Sequence, residues 1–168
     1  GKALREGVKH IELVTDEVFK NLSDTQTPQG ILALVKQYHY TLEEVAGGSR
    51  KSAQAEDLQE KPALLMVLET IQDPGNLGTI LRAGEGAGVT GIVMDANTAD
   101  IYNPKVIRST MGSVLRMPFV YVENLHETLE ELKKKKIRLF AAHLQGKHAY
   151  DQEDYTGPAA FLIGNEGN

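Results

Sequence analysis

A single arginine stands among small residues in the stretch "IQDPGNLGTILRAGEGAGV", which spans residues 71–89. Arginine stays protonated in proteins, and its planar fork of donors suits a phosphate or a polar substrate. At about 100° per residue, Arg82 lies roughly 120–140° around a helix from the stripe that Leu77, Leu81 and Gly84 share. We therefore expect Arg82 to face a ligand, whereas turn and capping roles account for most of its neighbours.

A second segment, "NPKVIRSTMGSVLRMPF" (residues 103–119), carries positive charge in an acidic chain. Its basic residues are Lys105, Arg108 and Arg116. Basic side chains on a surface are commonly just solvated, but they also supply most phosphate contacts in nucleic-acid complexes. Phosphate binding is the functional interpretation of this segment, and simple solvation is the alternative.

The third polar segment is "FLIGNEGN" (residues 161–168), where an apolar run ends in a turn-like sequence. The turn residues are Gly164, Asn165, Glu166 and Gly167. A turn accounts for the glycines and the asparagine, but it does not explain the glutamate. Glycine also allows the backbone to approach a ligand closely, so this segment is a candidate binding loop.

Five short aliphatic runs follow residue 60, with helical stretches between them. They occupy residues 63–69, 91–95, 118–122, 137–142 and 159–164. Continuous apolarity marks strands that are buried on both faces, and their alternation with helices predicts a parallel α/β sheet with right-handed crossovers. The three polar segments then fall at the carboxyl ends of strands, where such sheets bind ligands.

Asparagines mark the predicted starts of the intervening helices. Asn76 is predicted to cap a helix that runs to about Gly88, and Asn103 precedes a proline at the first position of the next helix. Asn124 opens a third helix, whose core face is formed by leucines. Those leucines are Leu125, Leu129 and Leu132.

The first sixty residues follow a different pattern. We expect strands at residues 10–15 and 30–37, with a short helix at residues 16–24 between them. The stretch 46–60 is small, polar and charged, which is typical of a linker.

Composition limits the class of protein. The chain has 168 residues, a formal net charge of −5 and no cysteine, which excludes disulfides and thiolate metal sites and fits a cytoplasmic protein. The longest apolar run, residues 63–68, is far shorter than the ~20 residues that a membrane span needs. The five histidines show no metal-ligand spacing, so neither a metal nor a membrane partner is predicted.

Two nucleotide-binding loops fit poorly. A dinucleotide loop needs its glycines directly between strand and helix, whereas Gly84, Gly86 and Gly88 lie at the far end of the predicted helix. A P-loop is excluded because no Gly-Lys-Ser/Thr follows the strand. A nucleotide-binding oxidoreductase of doubly wound fold therefore stays a secondary alternative.

The pattern D-P-x-N-x-G-x-x-x-R in "DPGNLGTILR", followed by G-N-E-G at a strand end, resembles the SpoU (TrmH-type) branch of the SPOUT RNA methyltransferases. The resemblance covers residues 61–168. Residues 18–35 also resemble the end of the ribosomal-protein-like substrate-binding domain that often precedes it. The implied fold is a parallel α/β sheet of the SPOUT (trefoil-knot) type. The implied organisation is a partial RNA substrate-binding domain at 1–45, a linker at 46–60 and the methyltransferase domain thereafter.

The resemblance implies transfer of a methyl group from S-adenosylmethionine to a ribose 2′-hydroxyl. The leader domain favours ribosomal over transfer RNA. Asn76, Arg82 and Glu166 are assigned to the catalytic neighbourhood. Arg82 would hold an RNA phosphate or hydroxyl, Asn76 would fix Arg82 and the loop, and Glu166 would orient Arg82 or the loop around the donor. Lys105, Arg108 and Arg116 would then contact RNA phosphates.

The resemblance also indicates where the methyl donor would bind. Its adenosine and methionine parts would lie among backbone groups at the ends of the last two predicted strands. The residues concerned are Ala142, Gly164, Asn165 and Gly167. A lone histidine such as His143 is more often a surface residue than a catalyst, and it takes no part in the expected mechanism.

This sequence departs from the family pattern in one respect. The third motif, an Asn/Ser-containing segment beyond G-N-E-G, does not occur before Asn168. In the family it threads the knot, completes the donor pocket and supplies much of the dimer interface. We therefore expect an incomplete donor site here, an incomplete leader domain, and a homodimer for the complete protein. A non-enzymatic RNA-binding module is the alternative.

Overall fold

A computed structural model gives the structure of the protein, and it describes residues 10–47 and 62–165. The chain divides into two compact units, Gly1–Tyr38 and His39–Asn168. Among the described residues, no helix combines the length and apolarity that crossing a membrane requires.

The described part of the first unit contributes one helix, α1 (Asp16–Leu22), which begins where Thr15 accepts a hydrogen bond from the backbone N–H of Val18. The strands that we predicted at residues 10–15 and 30–37 are wrong: neither segment is a strand. Their aliphatic side chains are exposed, and the described part of the unit offers them no paired strand. Apolar alternation alone does not form a strand without a hydrogen-bonded neighbour.

The second unit is built on five parallel strands. They are β1 (Leu64–Leu68), β2 (Gly91–Asp95), β3 (Phe119–Val122), β4 (Arg138–Ala141) and β5 (Ala159–Ile163). Their order in the sheet is β3-β2-β1-β5-β4, and every pairing is parallel. All five predicted strands and the parallel α/β class are therefore confirmed.

Four α-helices accompany the sheet in the described part of this unit. They are α2 (Leu42–Ala46), α3 (Pro74–Ala87), α4 (Pro104–Thr110) and α5 (Leu125–Lys134). Short 3-10 turns occur at Ser113–Leu115 and Tyr150–Gln152. The predicted caps Asn103 and Asn124 are confirmed, because each side chain accepts a backbone N–H of its helix.

The cap predicted for α3 is wrong by three residues. Asp73 is the N-cap, and its Oδ1 accepts a hydrogen bond from the backbone N–H of Asn76 at 2.7 Å. Pro74 follows at the first helical position, where its missing N–H costs nothing. Asn76 therefore lies inside the first turn as the residue that the cap holds.

Each face of the sheet packs against its own helices. On one face, Ile92 and Met94 share a core cluster with Leu81 of α3. On the other, Val67 and Val93 share a cluster with residues of α5 and α2. Side chains alternate across a strand, so the continuous apolar runs fill both cores.

Helix α2 packs directly on this sheet. Val45 is fully buried, and a Cβ added to Gly91 would lie 2.6 Å from Cγ1 of Val45. Glycine at the start of β2 thus allows α2 to approach the strand. The boundaries of functional domains stay a prediction, but α2 lies in the same compact unit as the sheet.

Helices α3 and α4 approach each other closely at Gly78. A Cβ added there would lie 1.7 Å from Oγ of Ser109. The Ser109 hydroxyl also lies 2.8 Å from the carbonyl oxygen of Val106 and 3.2 Å from that of Pro74. The glycine of the D-P-x-N-x-G pattern is therefore required by helix packing.

We expect Gly78→Ala to destabilise the second unit by about 1–3 kcal/mol, because the new methyl group forces α3 and α4 apart or displaces Ser109. Urea unfolding measures the change. Gly86→Ala is the matched control: it lies in the same helix, and its added Cβ meets nothing within 4 Å. Replacing a helical glycine by alanine stabilises by about 0.5–1 kcal/mol, so the two variants should shift in opposite directions.

Candidate functional site

The loops that follow the five strands lie at one edge of the sheet, here called the carboxyl edge. Parallel strands place their carboxyl ends together, and open α/β sheets bind ligands there. Helices α3 and α4 both begin at this edge, directly after the loops that leave β1 and β2. The candidate residues of α3 and α4 are therefore positioned by these two loops.

Arg82 lies on the outer surface of α3, and its side chain is exposed. Its Nη1 donates to Sδ of Met111 at 3.3 Å. Met111 follows α4 in a left-handed conformation, with φ of 51°, and is itself 74% exposed. The expectation that Arg82 points away from the core is confirmed, and its guanidinium faces the end of α4.

Asn76 is exposed but does not contact Arg82. Six residues separate them, so they lie about 120° apart around the helix and about 9 Å apart along it. No hydrogen bond joins Asn76 to Arg82 among the described residues, and the expected fixing of Arg82 by Asn76 stays a prediction. Asn76 is held at the carboxyl edge by its own backbone N–H, which Asp73 accepts.

The predicted phosphate contacts divide into two kinds. Lys105 and Arg108 of α4 are exposed and form no ion pair with another described residue. Arg116, in contrast, is paired with Glu85 of α3, and its Nη2 donates to Oε2 at 2.9 Å. The positive charge of Arg116 is thus largely offset by a carboxylate, whereas those of Lys105 and Arg108 remain available.

Sequence reasoning missed Glu85. Its carboxylate accepts hydrogen bonds from Arg116 and from the buried hydroxyl of Ser113, the latter at 2.6 Å. These contacts tie the segment after α4 to the same helix that carries Arg82. Its position three residues after Arg82 places both on one face of α3, which was the available signal.

Asp95 was also missed. It ends the apolar strand β2 and is only 8% exposed, yet its carboxylate accepts hydrogen bonds from Thr70 and Thr98. Burial raises the pKa of Asp95, but the bonds from Thr98 and Thr70 outweigh it, so the pKa lies below its ordinary value. Asp95 is therefore ionised at neutral pH. An aspartate at the end of a buried strand was the signal that could have found it.

A tyrosine supports the loop that leaves β2. The hydroxyl of Tyr121 donates to the carbonyl of Ala99 at 2.6 Å and accepts the N–H of Ile101 at 2.9 Å. Burial raises the pKa of Tyr121 to about 12, so the phenol stays protonated and can serve as donor and acceptor at once. The loop is consequently held from β3 as well as from β2.

The described residues predicted to hold the methyl donor lie together at the carboxyl edge. The backbone N–H of Ala142 donates to the carbonyl of Leu162 at 3.4 Å, and Gly164 and Asn165 follow directly after β5. The N–H of Glu69 donates to the carbonyl of Ile163 at 3.0 Å, so the end of β1 lies beside them. Glu166 and Gly167 lie outside the described residues.

A cleft opens between this edge and α5. Its wall is mostly apolar, with one carboxylate and one imidazole. The lining residues are Val67, Glu69, Leu125, His126, Leu129, Leu162, Ile163 and Gly164. A Cβ added to Gly164 would meet nothing nearer than Oε2 of Glu69 at 3.9 Å, so the backbone here is open to a neighbour. These features fit an amphipathic nucleoside or amino-acid ligand.

The structure does not bring all the candidate residues together. Arg82 faces the end of α4, whereas Ala142, Gly164 and Asn165 lie at the ends of β4 and β5, and no hydrogen bond joins the two groups. No cluster of three His, Asp or Glu side chains suited to a metal occurs among residues 10–47 and 62–165.

The fold and the site define a parallel α/β domain in which the D-P-x-N-x-G-x-x-x-R motif of residues 73–82 begins at the carboxyl edge. Residues 63–168 match the family model described as the SpoU rRNA Methylase family. Residues 2–41 match a second family model, described as RNA 2′-O ribose methyltransferase substrate binding. The chain belongs to the SpoU rRNA methylase family. The resemblance to the SpoU (TrmH-type) branch is therefore confirmed.

Named relatives agree with this assignment. The chain is 30% identical, over 92% of its length, to the 23S rRNA (guanosine(2553)-2′-O)-methyltransferase RlmP of Bacillus subtilis. An AdoMet-bound rRNA methyltransferase from Sinorhizobium meliloti matches with a TM-score of 0.75 and 26% identity, covering 91% of this chain and 54% of that one. The SpoU methyltransferase AviRb from Streptomyces viridochromogenes, in complex with the cofactor AdoMet, matches with a TM-score of 0.59 and 30% identity. The match covers 67% of this chain and 46% of that one.

The chain spans about half the length of the curated relatives that it matches. It covers 55% of the Bacillus subtilis protein and 53% of a Synechocystis relative, which is 33% identical over 94% of this chain.

Asp95→Asn tests the buried carboxylate. The new amide NH₂ replaces an acceptor of Thr70 or Thr98, so at neutral pH we expect a loss of about 1–3 kcal/mol in the free energy of unfolding. The folded pKa of Asp95 lies below the ordinary value of 3.8. The extra unfolding free energy of the wild type over Asp95→Asn is therefore fully present above that value. It is lost as the pH falls through the folded pKa.

Urea unfolding of wild type and Asp95→Asn between about pH 7 and pH 3 measures this difference. The gap between the two curves should narrow only in the acid range. A gap that stays constant down to the acid limit would contradict the ionised, hydrogen-bonded state of Asp95.

Proposed function

We propose that the protein transfers a methyl group from S-adenosylmethionine to a ribose 2′-hydroxyl of RNA, with ribosomal RNA as the substrate. The observation that carries the proposal is the exposed guanidinium of Arg82, which has only the Met111 sulfur as its hydrogen-bond partner among the described residues. Membership of the family and the 23S rRNA activity in the name of the Bacillus subtilis relative support it.

The donor supplies a methyl group that its sulfonium already activates. The residues of the chain therefore have to position the 2′-oxygen and ease the loss of its proton. Arg82 cannot act as a base, because a guanidinium stays protonated in proteins. Its forked donors hold an RNA phosphate or hydroxyl instead, and a phosphate oxygen or a water accepts the proton.

The open backbone at the carboxyl edge is the proposed donor site. Ala142, Gly164 and Asn165 would contact the donor with backbone groups. Gly167 stays a proposed donor contact, and Glu166 stays a proposed member of the catalytic neighbourhood. Apolar residues such as Leu162 would pack against its adenosine part, and the Glu69 carboxylate can accept hydrogen bonds from its amino groups.

RNA contacts are proposed on the outer surface of α4. Lys105 and Arg108 present free positive charge there, on the helix that packs against the one carrying Arg82. Arg116 remains a proposed contact, but it would first have to leave Glu85. Electrostatic steering of RNA by this local positive patch would act against the net charge of the chain, which is −5. A homodimer, a cytoplasmic location and catalysis without a metal complete the proposal.

Arg82→Ala in the whole protein should lower methyl transfer to an rRNA fragment by about 100- to 1,000-fold, because a contact needed in the transition state is lost. The melting temperature should barely change, since the side chain is exposed. Arg82→Lys should restore little, because a point charge cannot replace a planar fork.

Lys134→Ala removes the same charge from an exposed position of α5 and serves as the matched control. Its methylation rate should stay at the wild-type value. Full activity of Arg82→Ala would remove Arg82 from the mechanism, and RNA binding without methyl transfer by the wild type would favour a binding module.

Gly164→Ala tests the donor site separately. The added Cβ makes ordinary contact with Glu69 at 3.9 Å, so the fold should tolerate it. If the backbone approaches the donor closely, the methyl group takes up ligand space, and calorimetry should show at least about tenfold weaker binding of S-adenosylmethionine. Unchanged affinity at unchanged melting temperature would move the donor away from this turn.

A further inference from the structure

Two loops at the carboxyl edge are joined by a buried carboxylate. Oδ1 of Asp95 accepts the backbone N–H of Thr70 at 2.9 Å, and Oδ2 accepts the Thr70 hydroxyl at 2.9 Å. Oδ1 also accepts the N–H of Thr98 at 3.0 Å and its hydroxyl at 2.7 Å. One carboxylate at the end of β2 thus binds the loop after β1 and the loop after β2 together.

The two loops are also bonded directly to each other. The backbone N–H of Ile71 donates to Oγ1 of Thr98 at 3.2 Å, and the N–H of Ala99 donates to the carbonyl of Ile71 at 2.9 Å. The two bonded residues are 27 positions apart in the first case and 28 positions apart in the second. We call the set formed by Thr70, Asp95 and Thr98 the carboxylate staple.

The backbone of Thr70 indicates what the staple does. Thr70 has φ of 56°, a left-handed conformation that a β-branched residue rarely adopts. Such a conformation persists only where the surroundings hold it, and here Asp95 binds both the N–H and the hydroxyl of the same residue. The staple therefore imposes a sharp turn at the end of β1.

This turn leads directly to the helix with the candidate catalytic residues. Asp73, the cap of α3, follows Thr70 by three residues, and it holds the N–H of Asn76. On the other loop, Thr98 precedes Asn103, the cap of α4. The staple consequently sets where both helices begin relative to each other. Further along, the close approach at Gly78 keeps the same spacing.

We propose that Asp95, Thr70 and Thr98 are positioning residues for methyl transfer: they fix α3, which carries Asn76 and Arg82, relative to α4, which carries Lys105 and Arg108. The inference rests on the proposed function. Small displacements of positioned groups lower reaction rates by large factors. Loss of the staple should therefore lower kcat by more than the accompanying loss of stability explains.

The opposite edge of the sheet offers a matched control. The hydroxyl of Thr90 donates to the carbonyl of Leu64 at 3.0 Å and accepts the N–H of Leu64 at 3.0 Å. Thr90 and Thr98 are both 5% exposed, and each joins the β1 segment to the β2 segment. Thr90 does so at the amino ends of the strands, whereas the residues of α3 and α4 that are proposed to contact RNA lie elsewhere on those helices.

The experiment compares Thr98→Val with Thr90→Val in the whole protein. Both replace a buried hydroxyl by a methyl group, so their melting temperatures should fall by similar amounts. The kcat for methylation of an rRNA fragment should fall at least about tenfold for Thr98→Val and stay within about twofold for Thr90→Val. Thr98→Ser keeps the hydroxyl and should restore the rate. Equal kcat losses in the two valine variants, or none in Thr98→Val, would overturn the proposal.

Thr70→Gly provides a variant that should fold readily. Glycine adopts positive φ without strain, so removing the side chain relieves the backbone while deleting the bond to Oδ2 of Asp95. We expect a melting temperature close to that of wild type together with a reduced kcat and a nearly unchanged KM for RNA. Wild-type kcat in this variant would also count against the staple.

Amide hydrogen exchange separates failure of this inference from failure of the proposed function. Without any methyl transfer by the wild type, the proposed function fails, but the staple can still be measured. The amides of Ile71 and Asn76 should exchange faster in Thr98→Val than in Thr90→Val, because only the former loosens the turn before α3. Equal exchange in the two variants would overturn the positioning role by itself.

Discussion

The pairing of β1 with β2 on one side and β5 on the other is the constraint on which the site depends. Both neighbours run parallel to β1, so the loops that leave all three strands reach the same edge. The last strand thereby lies beside the first, and Gly164 comes next to Glu69 although most of the unit separates them in sequence. The loop that opens the motif at residues 73–82 and the described start of the G-N-E-G segment, Gly164 and Asn165, share an edge for this reason.

Several polar groups of the second unit are buried but satisfied. Thr98, Thr110 and Ser113 are all buried, and none of the described buried side-chain nitrogen or oxygen atoms lacks a hydrogen-bond partner. A buried polar group without a partner would cost free energy, so each such residue fixes the geometry of its neighbours. The loops before α3 and α4 are therefore held by bonds and do not depend on apolar packing alone.

Charge is distributed locally on an acidic protein. Glu85 offsets Arg116 and anchors Ser113, while Arg82, one helical turn earlier, remains exposed. Ion pairing thus distinguishes between arginines that look alike in the sequence. A guanidinium that is already hydrogen-bonded by two atoms to a carboxylate has less to offer an RNA phosphate than one that contacts a thioether.

Local features of the sequence determined the five strands, the helix starts at Asn103 and Asn124, and the exposure of Arg82, because periodicity and capping act over a few residues. The strands expected at residues 10–15 and 30–37 failed because a strand needs a partner that periodicity cannot supply. Only the tertiary structure decided that Asp95 joins Thr70 to Thr98, and that Glu85 pairs with Arg116. Those contacts join segments up to 31 residues apart, and they exist only because the order of the parallel strands and the close packing of α3 on α4 bring them within hydrogen-bonding distance.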